Sequence, residues 1–133
     1  MNKAELIGRL GSDPRGGMVN GNTYSNISIA TQEDYTDGNG QRRQRTTWHR
    51  IVCWGRIAEF ANQYLSKGRL VFVEGRINHR SYTDMDGVVR TVTEIIANRI
   101  KALDPKPVHG NEPPSNAWQG DVYVDNEQQP IIQ

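Results

Sequence analysis

Residues 46–77 read TTWHRIVCWGRIAEFANQYLSKGRLVFVEGRI, and the period of the apolar positions changes twice within this stretch. Arg45–Trp54 is rich in Thr, Trp, Ile and Val, residue types that favour a pleated, half-buried strand. From Gly55 to Lys67 the spacing becomes helical. Ile57, Phe60, Ala61, Tyr64 and Leu65 recur at i, i+3, i+4, i+7 and i+8, one face of a helix. Gly68 then stands where a helix exit favours glycine, with Lys67 near the negative end of the helix dipole. Leu70–Ile77 returns to a strand pattern. The stretch therefore predicts strand, helix, strand.

Working outward adds strands on both sides. Lys3–Leu10 alternates weakly and stops at Gly11-Ser12-Asp13-Pro14. Tyr24–Thr31 sets Ile27 and Ile29 on one face and Tyr24, Asn26, Ser28 and Ala30 on the other. Asp34–Gln44 is polar and Gly-containing and reads as a loop. Asp84-Met85-Asp86-Gly87 reads as a turn, and Arg90–Leu103 as a last strand. No internal repeat is read from the chain. The expected fold is all-β: an OB-fold, a five-stranded, partly open Greek-key barrel with one helix between strands 3 and 4. A ferredoxin-like fold would need a second helix, which the pattern lacks.

Composition narrows the class. The 133 residues suit one domain, and no apolar run approaches the ~18 residues of a membrane span. The N-terminus MNKAELIGRLGSDP has neither signal-peptide nor transit-peptide character, so the expected location is cytoplasmic. A single cysteine, Cys53, excludes an internal disulfide. His49, His79 and His109 lack ligand spacing, so no metal or cofactor is expected. Charge is divided unevenly. Residues 1–106 hold all 16 Lys and Arg against 11 acids, a balance of +5, whereas residues 107–133 hold 4 acids and no base. The basic body points to a polyanion. The rest, poor in apolar residues and rich in Pro, Asn and Gln, reads as a flexible acidic tail beginning at residue 107.

The polyanion's form is indicated by one strand face. Alternation places Trp48, Arg50, Val52 and Trp54 together and His49, Ile51 and Cys53 opposite, on the core side. At ~3.3 Å per residue the two indoles lie roughly 20 Å apart, enough to serve separate bases. Tyr35 opens an Arg-bearing loop, Tyr82 lies between Arg80 and Arg90, and Arg56 follows Trp54. Aromatics interleaved with cations suit a single-strand groove, since every base has a face to stack on and every phosphate needs a cation. A duplex reader would want a basic helix for the major groove, and the one helix carries few bases on its exposed side. The acids are scattered and Gly38-Asn39-Gly40 belongs to no phosphate-loop motif, so an enzyme is not expected. A scaffold or primosome protein of the same fold, or a single-stranded RNA binder, are the alternatives.

Several motifs in order carry a resemblance: NKAELIGRLGSDP at 2–14, ISIAT at 27–31, TTWHRIVCWGRIAEFANQYLSKG at 46–68, VFVEGRI at 71–77 and SYTDMDGVVRTVTEI at 81–95. Over about residues 2–103 the chain resembles the bacterial single-stranded DNA-binding protein family. The resemblance implies a homotetramer, a dimer of dimers, that wraps single-stranded DNA without sequence preference during replication, recombination and repair. It implies stacking at Tyr35, Trp48, Trp54 and Tyr82. It implies backbone contacts from Arg50, Arg56, Lys67, Arg80 and Arg90, and further from Lys3, Arg42, Arg43 and Arg45. His49 falls where the family uses a histidine near the subunit contact. The family's usual tail ends in an acidic run and Pro-Phe, which docks replication and repair enzymes. This chain instead ends Asp125-Asn-Glu-Gln-Gln-Pro130-Ile-Ile-Gln133, so the resemblance does not carry that docking tip.

Overall fold

The computed structural model describes residues 1–105 and the backbone of 123–125. In chain order it runs β1 (Ala4–Leu10), β2 (Arg15–Val19), β3 (Asn22–Thr36), β4 (Arg42–Trp54), α1 (Gly55–Tyr64), β5 (Leu70–Thr83), β6 (Val89–Ala102) and β7 (Tyr123–Asp125). Five of these form a ring in the order β1-β5-β6-β4-β3, and β3 pairs back to β1. The OB architecture is as expected, but the ring is closed rather than partly open. The closing joints are Arg9↔Ala30 and Leu10↔Ile29 between β1 and β3, and the parallel pairs Ile51↔Ile95 and Val52↔Ile96 between β4 and β6.

The inward alternation fills the barrel. Ile27, Ile29, Ile51, Cys53, Val71, Val73 and Ile100 are buried, and Ile57, Ala58, Phe60 and Ala61 of α1 pack against them. A charged pair closes one end. Arg69, only 2% exposed, donates from Nε to Asp104 Oδ1 at 2.8 Å, and Leu70 N donates to Asp104 Oδ2 at 3.1 Å.

Three expectations change. First, α1 stops at Tyr64 rather than Lys67. Leu65 turns to an extended conformation and buries its side chain, while its N–H still reaches Ala61 O at 3.1 Å. Gly68 therefore belongs to the following turn, where its N–H donates to Leu10 O at 2.8 Å. Second, after the expected stop at Gly11–Pro14 comes a strand the sequence reading does not contain: β2 pairs with the start of β3. Asn20 and Gly21 join them with φ of 51° and 81°, the doubly left-handed geometry of a type I′ hairpin. Third, the segment read as a loop at 34–44 is mostly strand, and β5 continues past the expected end at Ile77 to Thr83, where the expected turn at Asp84–Gly87 leads into β6. Tyr35 pairs with Arg43 across β3–β4, and Tyr82 pairs with Arg90 across β5–β6. These arms expose both faces, so they carry no apolar alternation to read.

Beyond residue 105, β7 pairs its backbone with Arg99–Lys101 of β6, within the stretch whose composition reads as a flexible acidic tail. The terminal acids and the altered chain end lie outside the described residues.

Candidate nucleic-acid interface

The outer face of β4 floors a groove made of two adjoining hollows. One, of about 770 Å³, is bordered by Arg15, Trp48, Arg50 and Thr93. The other, of about 450 Å³, is bordered by Tyr24, Val52, Trp54 and Arg76. Asn26, Arg80 and Glu94 line both, so the hollows run into one another. The face expected from alternation is thus present: Ile51 and Cys53 are fully buried, while Trp48 is 60% exposed.

The two indoles sit differently. Trp48 approaches Gly11, where any Cβ would overlap the outer edge of the ring, so the bare backbone there gives the indole its room. Trp54 is half-buried and tilted at 56° against Tyr24, with ring centroids 5.9 Å apart. Tyr35 and Tyr82 project from the arms at 39% and 42% exposure. The Arg45 guanidinium lies 4.7 Å over the Tyr35 ring, a cation–π contact.

The cations fall into two groups. Arg42, Arg50, Arg56 and Lys67 are exposed and make no ion pair among the described residues. Others face carboxylates. Lys3 Nζ is 3.1 Å from Glu74, Arg43 Nε 2.9 Å from Asp37, Arg80 Nε 3.0 Å from Glu94, and Arg90 Nε 2.6 Å from Asp84. Glu94 is itself buried, and Asn78 Nδ2 donates to it at 3.3 Å. The hydrogen bond from Arg43 holds Asp37, and that from Arg90 holds Asp84, below the ordinary carboxylate range, with backbone N–H groups adding to each. His49, on the inner face of β4, is half-buried with Nε2 2.8 Å from Thr31 Oγ1, and burial lowers its pKa.

Sequence reading missed Arg15, Tyr24, Asn26, Arg76 and Glu94 as parts of the groove. Arg15 was within reach: Asn20-Gly21 signals the hairpin that brings β2 beside β3. Glu94 was not, because only the fold shows that a buried carboxylate lies under a basic face. Among the described residues no cluster of His, Cys, Asp and Glu is placed to hold a metal ion, and no helix is long and apolar enough to cross a membrane.

This geometry can be set beside known proteins. Two single-stranded DNA-binding proteins, from Neisseria meningitidis serogroups A and B, are each 51% identical over 104 residues, covering 77% of this chain and 60% of theirs. Single-stranded DNA-binding protein 1 of Chlorobaculum tepidum is 42% identical over 112 residues, covering 83% of this chain and 69% of its own. The chain thus spans about 60% of the length of the Neisseria relatives. Among solved structures, an SSB from Plasmodium falciparum in complex with ssDNA matches with a TM-score of 0.69 at 36% identity, covering 72% of this chain and 85% of that one. The single-stranded DNA binding protein of Thermus aquaticus, as a deletion mutant, matches with a TM-score of 0.68 at 32% identity, covering 84% of this chain and 52% of that one. The family model for single-strand binding proteins takes in residues 1–103, from the first residue through the whole barrel, and with the groove lying inside that span the chain belongs to the single-strand binding protein family.

Proposed function

We propose that this chain binds single-stranded DNA without sequence preference, covering it during replication, recombination and repair. The observation that carries the reading is Trp48, 60% exposed and beside Arg50 in the groove. A large aromatic left open next to a cation, on a barrel whose core is otherwise closed, suits base stacking with phosphate neutralisation. Trp48, Trp54, Tyr35 and Tyr82 are the stacking positions. Arg42, Arg50, Arg56 and Lys67 meet the backbone most readily, having no carboxylate to leave, whereas Lys3, Arg43, Arg80 and Arg90 must first part from one. Arg45 reaches it from its place over Tyr35.

The functional unit is a homotetramer, a dimer of dimers. Supporting this, β1 and β5 turn Ile7 and Ile77 outward at 58% and 40% exposure, apolar surface that a second copy would cover. The chain acts in the cytoplasm, by binding rather than catalysis.

The test compares oligo(dT), oligo(U) and duplex of equal length by fluorescence titration, with native mass measured on the same sample. Tight oligo(dT) binding, weak duplex binding and a four-chain mass are expected. Equal affinity for duplex would overturn the single-strand reading. Preference for oligo(U) would move the ligand to RNA, and a monomer at micromolar concentration would overturn the assembly.

A further inference from the structure

The two hairpin tips carry one nine-residue pattern, a local repeat that the reading of the whole chain passes over. Residues 35–43 are YTDGNGQRR and residues 82–90 are YTDMDGVVR, sharing Tyr, Thr, Asp, Gly and Arg at the same five places. The structures of the tips match bond for bond. Asp37 Oδ1 accepts the N–H groups of Asn39 and Gln41, both at 2.9 Å, and its Oδ2 accepts Arg43 Nε at 2.9 Å. Asp84 Oδ1 accepts the N–H groups of Asp86 and Val88, both at 2.9 Å, and its Oδ2 accepts Arg90 Nε at 2.6 Å. Gly40 and Gly87 take left-handed φ values of 79° and 78°, completing each turn. In both tips the arginine stands directly across the ladder from the tyrosine, Tyr35↔Arg43 and Tyr82↔Arg90.

Such a clip has little to do for the barrel. The tips stand clear of the core, and exposed ion pairs add little to global stability. What each clip fixes is local: the last residues of an arm, and so the place from which its tyrosine projects. A stacking ring on a loose arm would be ordered at the expense of binding, whereas a pre-set arm avoids that cost.

We propose that Asp37 with Arg43, and Asp84 with Arg90, are positioning residues whose clips hold Tyr35 and Tyr82 in place to stack on the bases of a single strand. This rests on the single-strand reading above and gives Arg43 and Arg90 a role other than phosphate contact. Clipped to a carboxylate, each arginine forms a locally neutral pair. The clipped pairs then set the rings rather than supply charge, which is left to the unpaired cations Arg42, Arg50, Arg56 and Lys67.

The test turns on sign. Asp84→Ala removes a negative charge from a surface that faces a polyanion, so simple electrostatics expects tighter binding. The clip expects weaker binding, by about three- to tenfold toward oligo(dT), part of one base stack. Arg90→Lys keeps the charge but not the Nε–H geometry, and is expected to lose as much as Asp84→Ala. In a Tyr82→Ala background Asp84→Ala should cause no further loss, because the clip acts through that ring. Thermal unfolding should be unchanged in each variant. Tighter binding by Asp84→Ala, wild-type affinity in Arg90→Lys, or an undiminished loss without Tyr82 would each overturn the proposal. Failure of the wild-type chain to bind oligo(dT) would instead remove the function on which it rests.

Discussion

Truncating Trp48 and truncating Ile51 should separate binding from folding, because neighbouring registers of one strand place them on opposite faces. Trp48 is 60% exposed and Ile51 fully buried. Trp48→Ala removes one base stack, about 1–3 kcal/mol, which is roughly 5- to 150-fold in Kd per site. Its folding cost is bounded by the covered remainder of the ring. Two-fifths of the ~150–250 Å² that a fully buried aromatic covers, at ~25 cal/mol per Å², is at most about 1.5–2.5 kcal/mol. Ile51→Ala empties a core position and should cost about 2–5 kcal/mol of stability, with the affinity of the folded fraction unchanged. Oligo(dT) titration at low temperature, corrected for the folded fraction from denaturant unfolding, reads both quantities on the same samples. Wild-type affinity in Trp48→Ala, or an equal loss of affinity in folded Ile51→Ala, would refute the assignment of faces on which the binding argument stands.

Three further outcomes are expected. Gly11→Ala should re-aim the Trp48 indole without removing it, lowering oligo(dT) affinity and shifting the fluorescence emission while the barrel stays folded; unchanged emission and affinity would mean that the ring does not depend on Gly11. The slope of log K against log salt should lie near −2.8 per subunit if four unpaired cations, Arg42, Arg50, Arg56 and Lys67, each neutralise one phosphate, and near −6.3 if all nine basic candidates do, at about −0.7 each. Burial pushes the Cys53 thiol up to about 12 from an ordinary 9.0, so the unfolded chain ionises first and native stability falls as pH rises between those values. Denaturant midpoints should show that decline, and Cys53→Ala should show less of it.

The parts of the fold that sequence pattern reveals are those with one wet and one dry face. Ile27 and Ile29, and Ile51 and Cys53, alternate with exposed or half-exposed neighbours, so β3 and β4 are legible where they wrap the core. The same strands vanish from the pattern where they leave it, since the arms from Gln32 to Thr36 and from His79 to Thr83 have no dry side. The helix end was misplaced for another reason: Leu65 keeps the apolar phase of α1 but reaches the core from an extended backbone. At the groove, strand alternation already places Trp48 and Trp54 on one face, whereas Tyr24 joins Trp54 only through the β3–β4 pairing. Only three-dimensional pairing sorts the cations into exposed ones and those already facing a carboxylate.

The buried Arg69 fixes where the barrel can be cut. Its guanidinium donates to both the side chain and the backbone carbonyl of Asp104, which lies beyond the last residue of β6, and to Tyr64 O at 3.2 Å. The family match ends at residue 103, and a truncation made there would keep every strand of the ring yet discard the anion of a buried pair. Breaking such a pair from one side costs about 3–5 kcal/mol, a large share of a small domain's stability. A fragment ending at Leu103 should therefore express poorly or melt earlier than one that ends at Pro105 and keeps Asp104.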